Sequence, residues 1–343
     1  MATNNFIVTS LPAYVQENRD MLLKNFALVG SATRSRGITI QTGIKLNAYI
    51  NYMEVDPTLQ DGTDCGFSAL GDITLTQRTI STAPIKINMD VCPRKLLGKY
   101  AEYLVRNNAN EQDLPFEQYI MDGLIASINR KIEKLIWQGD KTEHSSDTNL
   151  KWIDGWLAIA TDDAKVVDAT IAAGSTAYQG ILAVYALIPV EAKERGAEIY
   201  VSPAIYDVFL QEMVQANYYH YSGPVEAAPQ EFYLPGTQTK VVSTPGLAGD
   251  LHVLATFPRN LIYGTDMEGD EEDIKIWFSD DDDVFKVKVL WSSGVQFAYP
   301  DMVVLGAFSA APTMPTVPVL NTIATHVASL DATEKVFKTS AQE

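Results

Sequence analysis

Residues 113–139 read DLPFEQYIMDGLIASINRKIEKLIWQG and carry the longest helical pattern in the chain. An apolar side chain recurs at every fourth position, and the members of this stripe are Phe116, Ile120, Leu124, Ile128, Ile132 and Ile136. Because this spacing exceeds the helical repeat of about 3.6 residues, the stripe winds around the helix and predicts burial against more than one neighbour. Asp113 is expected to cap the first turn, Pro115 fits within that turn, and Gly139 is expected to end the helix in a left-handed conformation. The stretch contains no catalytic grouping, so we interpret it as a structural strut.

The bulk composition limits the classes of function. The chain has 343 residues, a hydrophobic content of 46% and a formal net charge of −17. It is therefore long enough for two or three modules with buried cores. Proteins that bind nucleic acid by neutralising phosphates are usually basic. The acidic balance argues against tight, salt-sensitive binding of DNA or RNA as the main task.

The cysteines and the distribution of apolar residues indicate the cellular compartment in which the chain is made. The two cysteines, Cys65 and Cys92, have no metal-ligand neighbours at close spacing and are expected to be reduced thiols. No basic-then-apolar leader opens the sequence, and no run of about 18 apolar residues occurs. We therefore expect synthesis in the cytosol without insertion in a membrane.

An alternating pattern precedes the strut. Residues 1–36 are mostly small and polar and are interpreted as an arm that must lie on another surface. Residues 38–54 alternate between apolar and polar side chains, with one face formed by Ile38, Ile40, Ile44, Leu46, Ala48, Ile50 and Tyr52. A second extended run at 73–89 predicts a long two-stranded hairpin with a broad tip at 56–71. Because an isolated hairpin is marginal in water, we expect it to be held by neighbours, including other chains.

A compact α/β block and a terminal sheet are predicted after the strut. The block, residues 155–257, is expected to contain helices at 178–187 and 190–195, a strand at 197–201 and a helix that Ser202 caps, with Pro203 at its first position. The terminal sheet is an antiparallel pair, 274–278 and 285–291, joined by the acidic turn 280–283, and 303–305 is expected to complete it. The mixture of a long helix, a hairpin and sheets predicts the fold class α+β.

The sequence contains no familiar catalytic motif. It lacks a Gly-x-Ser-x-Gly nucleophile elbow, a phosphate loop ending in Gly-Lys-Ser/Thr and a His-Glu-x-x-His zinc motif. The four histidines are scattered, and they are His144, His220, His252 and His326. We therefore predict that the protein is not an enzyme and uses no cofactor.

Two acidic runs, 266–273 and 280–283, supply the weak candidates for a metal site. Those candidates are Asp266, Asp270, Asp273, Asp280 and Asp282, whose oxygens suit a hard cation. Neither run has the alternating Asp spacing of an EF-hand loop. Clustered carboxylates at strand ends are usually solvated turns that discourage edge pairing. The favoured interpretation is therefore two solvated turns and no metal site.

Sparse basic residues in the arm and hairpin have two interpretations. Arg34, Arg36, Lys45 and Arg78 either lie on an exposed polar face or contact acidic surfaces on neighbouring copies. Cys65 falls near the predicted hairpin tip and is a further candidate for contact between subunits. These five residues are the intersubunit contact candidates.

The order of these elements resembles the tailed-bacteriophage major capsid protein family, which has the Hong Kong 97-type shell fold. Residues 116–139 resemble the spine helix of that family, and 183–203 resemble the helix–strand–helix of its axial domain. The stretch 258–266, PRNLIYGTD, followed by 285–289 and 294–297, resembles the return to the peripheral domain. The resemblance covers the chain except for the tail after residue 310.

The resemblance implies a division of the chain into parts. They are an N-terminal arm at 1–36, an extended hairpin at 37–92, a peripheral domain at 93–154 and 258–310 with the spine helix at 113–139, an axial domain at 155–257 and a C-terminal tail at 311–343. The resemblance also implies assembly through hexamers and pentamers into an icosahedral shell around phage double-stranded DNA. The implied partners are other copies of the chain, a portal protein, a separate scaffold, decoration proteins and DNA bound without sequence specificity. The implied location is the virion, after assembly in the host cytoplasm.

Two alternatives stay open. An encapsulin-like nanocompartment shell shares the fold and holds enzyme cargo, and a groove for a cargo peptide on its inner wall would favour it. An acidic metal-binding enzyme or sugar-binding protein would instead be a monomer or small oligomer with a concave pocket. Some members of the family begin with a charged helical scaffolding segment, and nothing like it precedes this arm. The resemblance therefore implies either a separate scaffold or a chain that has already been trimmed. Lys45 lies in the hairpin, but no crosslink is predicted for it.

Overall fold

The computed structural model describes residues 33–60, 70–92, 116–216, 231–266, 273–282 and 284–314. Several expectations fall outside those ranges, namely the arm up to residue 32, the cap at Asp113, Cys65, Asp270 and the tail from residue 315. The described residues form one long helix, two larger sheets and a two-stranded hairpin.

The elements are as follows in chain order. The strands are β1 Thr39–Gln41, β2 Asn47–Pro57, β3 Gly71–Ser81, β4 Ala83–Val91, β5 Val167–Ala169, β6 Glu198–Val201, β7 Glu231–Tyr233, β8 Lys240–Ser243, β9 His252–Thr256, β10 Leu261–Gly264, β11 Asp273–Ser279, β12 Val284–Phe297 and β13 Val304–Ala307. The α-helices are α1 Phe116–Gln138, α2 Trp156–Asp162, α3 Ala177–Leu187, α4 Val190–Glu194 and α5 Pro203–Gln215. Short 3-10 turns lie at Arg34–Arg36, Pro245–Leu247, Pro258–Asn260 and Pro300–Met302. Among the described residues there is no helix whose length and hydropathy suit a membrane crossing.

Helix α1 is the predicted strut. Its winding stripe is buried at Ile128, Ile132 and Ile136. The core around these side chains includes residues of both larger sheets and of α2, which confirms the expected burial against more than one neighbour. Near the end of the helix almost every position is buried, and the additional buried residues are Asn129, Glu133, Leu135 and Trp137.

Gly139 ends α1, but not in the expected left-handed conformation. Its backbone amide donates to the Leu135 carbonyl oxygen at 2.9 Å, and it does not belong to the glycines with positive φ. A Cβ atom at this position would lie 2.5 Å from the carbonyl oxygens of both Leu135 and Ile153. Glycine is required here because the chain after the helix passes so close, and not because of backbone handedness.

The long sheet is built around β12. The first part of β12 lies between β11 and β4, both antiparallel to it, and its last residues pair with β10. Strand β10 in turn pairs parallel with β1. As predicted, alternate side chains of β12 are buried, and these are Phe285, Val287, Val289 and Trp291. They share one apolar core with α1.

The hairpin is shorter than predicted, because each predicted strand is divided between the hairpin and the long sheet. Strands β2 and β3 pair antiparallel along their full lengths. Residues 39–41 belong to the long sheet as β1, and the predicted run 73–89 breaks at Thr82, after which β4 joins β12. The Thr82 amide donates to the Leu46 carbonyl oxygen at 2.9 Å at this division. Leu46 is 70% exposed because it lies in the bend before β2, whereas Ala48, Ile50 and Tyr52 of the same predicted face are half-buried.

The compact block centres on a six-stranded sheet in the order β5-β13-β9-β6-β8-β7. Helices α3 and α5 pack on one face of this sheet, and the core of α1 covers the other. In β6, for example, Ile199 faces the α3–α5 core and Tyr200 faces the α1 core. The predicted cap of α5 is confirmed, because the Ser202 hydroxyl accepts a hydrogen bond from the Ile205 amide at 3.4 Å with Pro203 at the start of the helix.

The expectation that residues 303–305 complete the terminal sheet is wrong. Strand β13 lies in the six-stranded sheet, parallel to β5 and antiparallel to β9. Val304 and Leu305 are both buried, in the two cores on opposite faces of that sheet. A short, continuously apolar run is typical of an interior strand covered on both faces.

Candidate assembly surface

The hairpin of β2 and β3 is fixed to the rest of the chain at its base. Ile80 is fully buried there and forms a small apolar cluster with Ile44 and Ile262. The hydroxyl of Thr82 donates to the Ile44 carbonyl oxygen at 3.2 Å. Towards the other end of β3 the side chains are exposed. The hairpin therefore extends away from a small anchored base.

One ion pair ties the inward face of the hairpin to the loop after α2. Arg78 NH1 lies 2.6 Å from Asp163 Oδ2, and Arg78 NH2 donates to Gln296 Oε1 at 3.0 Å. Burial alone would raise the pKa of the Asp163 carboxyl, but hydrogen bonds from the Lys165 amide and from Arg78 outweigh it and lower that pKa. The charge of Arg78 is thus used within its own subunit.

Two further contacts support the hairpin at the same junction. The side-chain amide of Gln296 donates to the Thr79 carbonyl oxygen at 3.0 Å. The rings of Tyr52 and Tyr299 meet edge to face, with centroids 4.8 Å apart. Polar groups and ring edges hold this face, so the angle of the hairpin depends on a small number of contacts.

The opposite face of the hairpin carries apolar side chains that nothing in the described part of the chain covers. Met53 lies across from Leu75, and Val55 lies across from Ile73. Their exposed fractions are 61%, 75%, 49% and 62%, and Tyr49 on the same face is 63% exposed. Contiguous exposed apolar surface marks a site of protein interaction. We call these five residues the outer apolar face.

The end of the predicted arm is anchored to α1 by buried polar contacts. The Thr33 amide donates to Glu133 Oε1 at 3.3 Å, and the Thr33 hydroxyl donates to the same oxygen. The indole N–H of Trp137 donates to that hydroxyl at 2.9 Å. All three side chains are buried. The arm therefore meets the strut at a fixed point.

Arg34 and Arg36, next along the chain, also have partners within the subunit. Arg34 is 3% exposed, and its guanidinium donates to Asn129 Oδ1 at 3.3 Å. Arg36 NH2 lies 2.6 Å from Glu231 Oε2, and its Nε lies 3.4 Å from Glu198 Oε2. The hydrogen bond from Arg36 lowers the pKa of the Glu231 carboxyl. These contacts join the arm to α1 and to the six-stranded sheet.

The structure describes four of the five intersubunit candidates from the sequence. The expectation that the Arg34 side chain is exposed is wrong, because α1 and its neighbours bury it. Arg36 and Arg78 are paired with carboxylates of their own subunit. Lys45 has an exposed side chain, and its contact with another copy stays a prediction. Cys65 lies outside the described residues.

The described aspartates of the two acidic runs do not come together as a metal site. Asp266 is buried, and neither of its carboxylate oxygens has a hydrogen-bond partner among the described residues. Asp273 begins β11, Asp280 is exposed, and Asp282 Oδ2 lies 2.6 Å from Lys286 Nζ. The described ranges contain no group of three or more His, Cys, Asp or Glu residues arranged to hold a metal ion.

One of the scattered histidines has a defined ionic partner. His252 Nδ1 lies 2.6 Å from Asp250 Oδ1, and the His252 amide donates to the same oxygen at 2.7 Å. The hydrogen bond to Asp250 raises the pKa of the His252 imidazole. Burial would raise the pKa of Asp250, but the hydrogen bonds from His252 outweigh it and lower that pKa. Asp250 lies two residues before β9 and His252 is the first residue of that strand, so the pair stabilises the start of β9.

Sequence reasoning assigned only one apolar face to the hairpin and missed the outer one. The even-numbered apolar positions of 38–54 predict one shared face of the strand. Tyr49, Met53 and Val55 form a second apolar series at the odd positions. Apolar residues on both faces of a strand indicate that both faces become covered. That signal was present in the sequence, and the described residues of the subunit cover only one of the two faces.

Comparison with known proteins yields matches in structure and none in sequence. No protein-family model matches the chain, and no curated protein matches it. A chain in the solved structure "Satellite phage P4 procapsid including size determination (Sid) protein" aligns with a TM-score of 0.56 and 13% identity, over 87% of this chain and 95% of that chain. A chain from the capsid of a native GTA particle aligns with a TM-score of 0.52 and 9% identity, over 82% and 97% of the two chains. A chain from the capsid of an empty GTA particle aligns with a TM-score of 0.50 and 10% identity, with the same coverage of the two chains.

At such low identity the similarity establishes the fold alone. The chain has the Hong Kong 97-type fold of tailed-phage major capsid proteins, as its order of elements predicted. The matches cover most of this chain and nearly all of the matched capsid chains. The similarity therefore concerns the arrangement of most of the chain rather than of one segment.

Proposed function

We propose that this chain is a phage major capsid protein that assembles through hexamers and pentamers into an icosahedral shell around double-stranded DNA. One observation carries the proposal: a chain with a capsid fold presents an outer apolar face that no described residue of its own subunit covers. A neighbouring copy is the natural cover, because every copy in a closed symmetric shell has an equivalent neighbour. The proposed role is structural rather than enzymatic.

The free energy gained by burying the outer apolar face suits a contact that is repeated many times in a shell. Full burial of one side chain such as Met53 or Leu75 contributes about 1.5–3 kcal/mol. Part of this is offset by the ordering of side chains and the loss of free movement of each copy. A contact of this size is modest between two subunits, and it becomes strong when it recurs around a closed shell.

The parts of the chain then have distinct proposed roles. The hairpin within 37–92 lies over a neighbouring subunit, and the arm, 1–36, reaches across as well. The axial domain, 155–257, meets its counterparts around the five-fold and six-fold axes. The peripheral domain, 93–154 with 258–310, meets other copies at the three-fold axes. The tail, 311–343, is assigned no contact.

The proposed partners follow from this role. They are other copies of the chain, a portal protein, a separate scaffold, decoration proteins and packaged DNA. The net charge of −17 supports contact with DNA that is neither tight nor sequence-specific, because a wall of like charge does not hold the phosphate backbone. Assembly is proposed in the host cytoplasm, with the virion as the final location.

Expression of the full chain, followed by negative-stain electron microscopy and light scattering, tests the proposal. Closed shells or regular hexamers are the expected products. A stable, monodisperse monomer would contradict the proposal and would favour the acidic enzyme or sugar-binding alternative. Shells that retain a co-expressed enzyme through a peptide on their inner wall would favour the encapsulin-like alternative, which suits the same fold.

A further inference from the structure

A groove on the exposed face of α1 gathers positive charge in an acidic protein. The groove has a volume of about 380 Å³ and is lined by Ser127, Arg130, Lys131, Lys134, Asp147, Asn149 and Leu150. The whole chain has 43 acidic and 26 basic residues. Three cations on one helix face are therefore a local reversal of the overall charge. We call this site the basic groove.

The cations of the basic groove have few charge partners among the described residues: Arg130 Nε donates to the Ala126 carbonyl oxygen at 3.4 Å, and Lys134 interacts with the nearby carboxylate of Asp147. Arg130, Lys131 and Lys134 are exposed, and none of them forms a salt bridge with another described residue. Asp147 is the one carboxylate among the lining residues. Its Oδ1 accepts a hydrogen bond from the Asn149 amide at 2.6 Å, which directs that oxygen to the loop backbone. The groove thus keeps an excess of positive charge.

This arrangement has a cost in the isolated subunit. Arg130 and Lys134 are four residues apart, so they lie on the same side of the helix. Like charges at this spacing destabilise a helix by about 0.2–0.5 kcal/mol per pair. An anionic occupant would remove that repulsion. Asp147 interacts with Lys134, but one carboxylate cannot balance three cations, so a further anion would have to come from outside the groove.

We propose that the basic groove receives the acidic turn of a second copy of this chain, the turn being residues 280–282 between β11 and β12. Asp280 and Asp281 are exposed and form no salt bridge with a described residue. Asp282 pairs with Lys286 at 2.6 Å, so the turn keeps an excess of negative charge. The two surfaces are complementary: three cations and one carboxylate meet three carboxylates and one lysine.

The form of the groove favours a protein turn over DNA. The groove is a local recess whose walls offer the hydroxyl of Ser127 and the amide of Asn149, and it is of a size to hold a few side chains. Double-stranded DNA presents a continuous row of phosphates, about one charge per 1.7 Å of its axis, and is matched by an extended stripe of cations. Each copy has one groove and one turn, so the contact is head-to-tail and can close into a ring.

This inference rests on the proposed function, since only an assembling chain brings the groove of one copy to the turn of the next. Charge exchange in the full chain tests it. The groove variant is Lys131→Glu/Lys134→Glu, and the turn variant is Asp280→Lys/Asp281→Lys. Each is expected to lower the yield of shells at least about tenfold, which corresponds to about 1.4 kcal/mol. The chain that carries all four substitutions is expected to recover to within about threefold of the wild-type yield.

The controls separate this contact from folding and from DNA. Circular dichroism of each variant should match the wild type, because all four positions are exposed. Arg259→Glu changes an exposed cation outside the groove and should leave the yield unchanged. Recovery in the combined variant supports the inference, whereas a combined variant no better than its parents overturns it. Normal shell yield with lower DNA content in the groove variant also overturns it, in favour of a DNA contact. Absence of shells from the wild-type chain would remove the proposed function and this inference with it.

Discussion

Arg78 of the hairpin and Asp163 of the loop after α2 form an ion pair, with NH1 2.6 Å from Oδ2. The two side chains are only 20% and 17% exposed, so water screens the pair less than a surface pair. Through this pair the hairpin, which is otherwise anchored at its base, is held against the body of the subunit. The pair therefore sets the direction in which the outer apolar face is presented.

Asp163→Asn should lower the free energy of unfolding by about 1–3 kcal/mol. The variant keeps the shape of the side chain but removes the charge, and it leaves the Arg78 guanidinium partly buried without a counter-ion. Urea denaturation measures the effect. Asp162→Asn alters the neighbouring exposed carboxylate and should change the stability by less than about 0.5 kcal/mol. Equal losses from the two variants would show that the ion pair does not stabilise the hairpin.

Leu75→Glu should leave the subunit folded and reduce the yield of shells at least about tenfold. Leu75 is 75% exposed, so the folded subunit loses little, whereas a glutamate buried in the contact between copies would be desolvated without a partner. Analytical sedimentation gives the shell yield, and circular dichroism reports the fold.

Thr74→Lys is the control for that variant, since it also adds a charge to the strand, and lysine is chosen because Glu54 lies directly opposite Thr74. Thr74 is exposed on the adjacent position of the same strand, so its side chain points to the other face. It should assemble at close to the wild-type yield. Shells formed equally well by Leu75→Glu would mean that the outer apolar face is not an assembly contact.

The strut and the compact block were accessible to sequence reasoning because their signals are local. The stripe that includes Ile128 and Ile132 needs only the helical repeat, and the Ser202-Pro203 start of α5 needs only the chemistry of a helix cap. The residues at the ends of each segment signal where it begins or ends. The observed bounds of α1 and α5 are therefore close to the predicted ones.

The division of the hairpin strands could not be predicted from the sequence, because it depends on a strand that is distant in the chain. Strand β4 leaves the hairpin after Thr82 to pair with β12, where Ile85 lies opposite Trp291. No periodicity within 73–89 contains that information. The burial of Arg34 is similar, since it depends on Asn129 of the strut rather than on the polar segment in which Arg34 lies.

The His252–Asp250 pair should make stability depend on pH. The His252 pKa is raised above its ordinary value of 6.5, so its contribution is present below that pH and is lost as pH rises through the folded value. The Asp250 pKa is lowered below its ordinary value of 3.8, so its contribution is present above that pH and is lost as pH falls through the folded value. Both contributions are therefore present together between about pH 4 and 6.5.

His252→Asn should consequently reduce the free energy of unfolding most near pH 5.5 and least near pH 8. The His252 side chain is 38% exposed, so the loss should be no more than about 1 kcal/mol. Denaturation of both proteins across this range measures the difference. His144→Asn changes the other described histidine, whose side chain interacts with Asp147 by charge alone and forms no salt bridge with it, and it should show a weaker trend. A loss that is the same at pH 5.5 and pH 8 would exclude an ionic contribution from the pair.

Gly139→Asn should destabilise the subunit by about 1–3 kcal/mol, as expected for overpacking. Asparagine is tolerated at a left-handed helix end, so it would be accepted if handedness were the requirement. The structure gives a different requirement, because a Cβ atom would lie 2.5 Å from the carbonyl oxygens of Leu135 and Ile153. Gly174→Asn is the control: Gly174 has φ of +78° and no atom within 4 Å of the added Cβ, so the loss there should be less than about 1 kcal/mol. Thermal denaturation of both variants decides between the two requirements, since equal tolerance at both positions would mean that handedness alone selects glycine at the end of the strut.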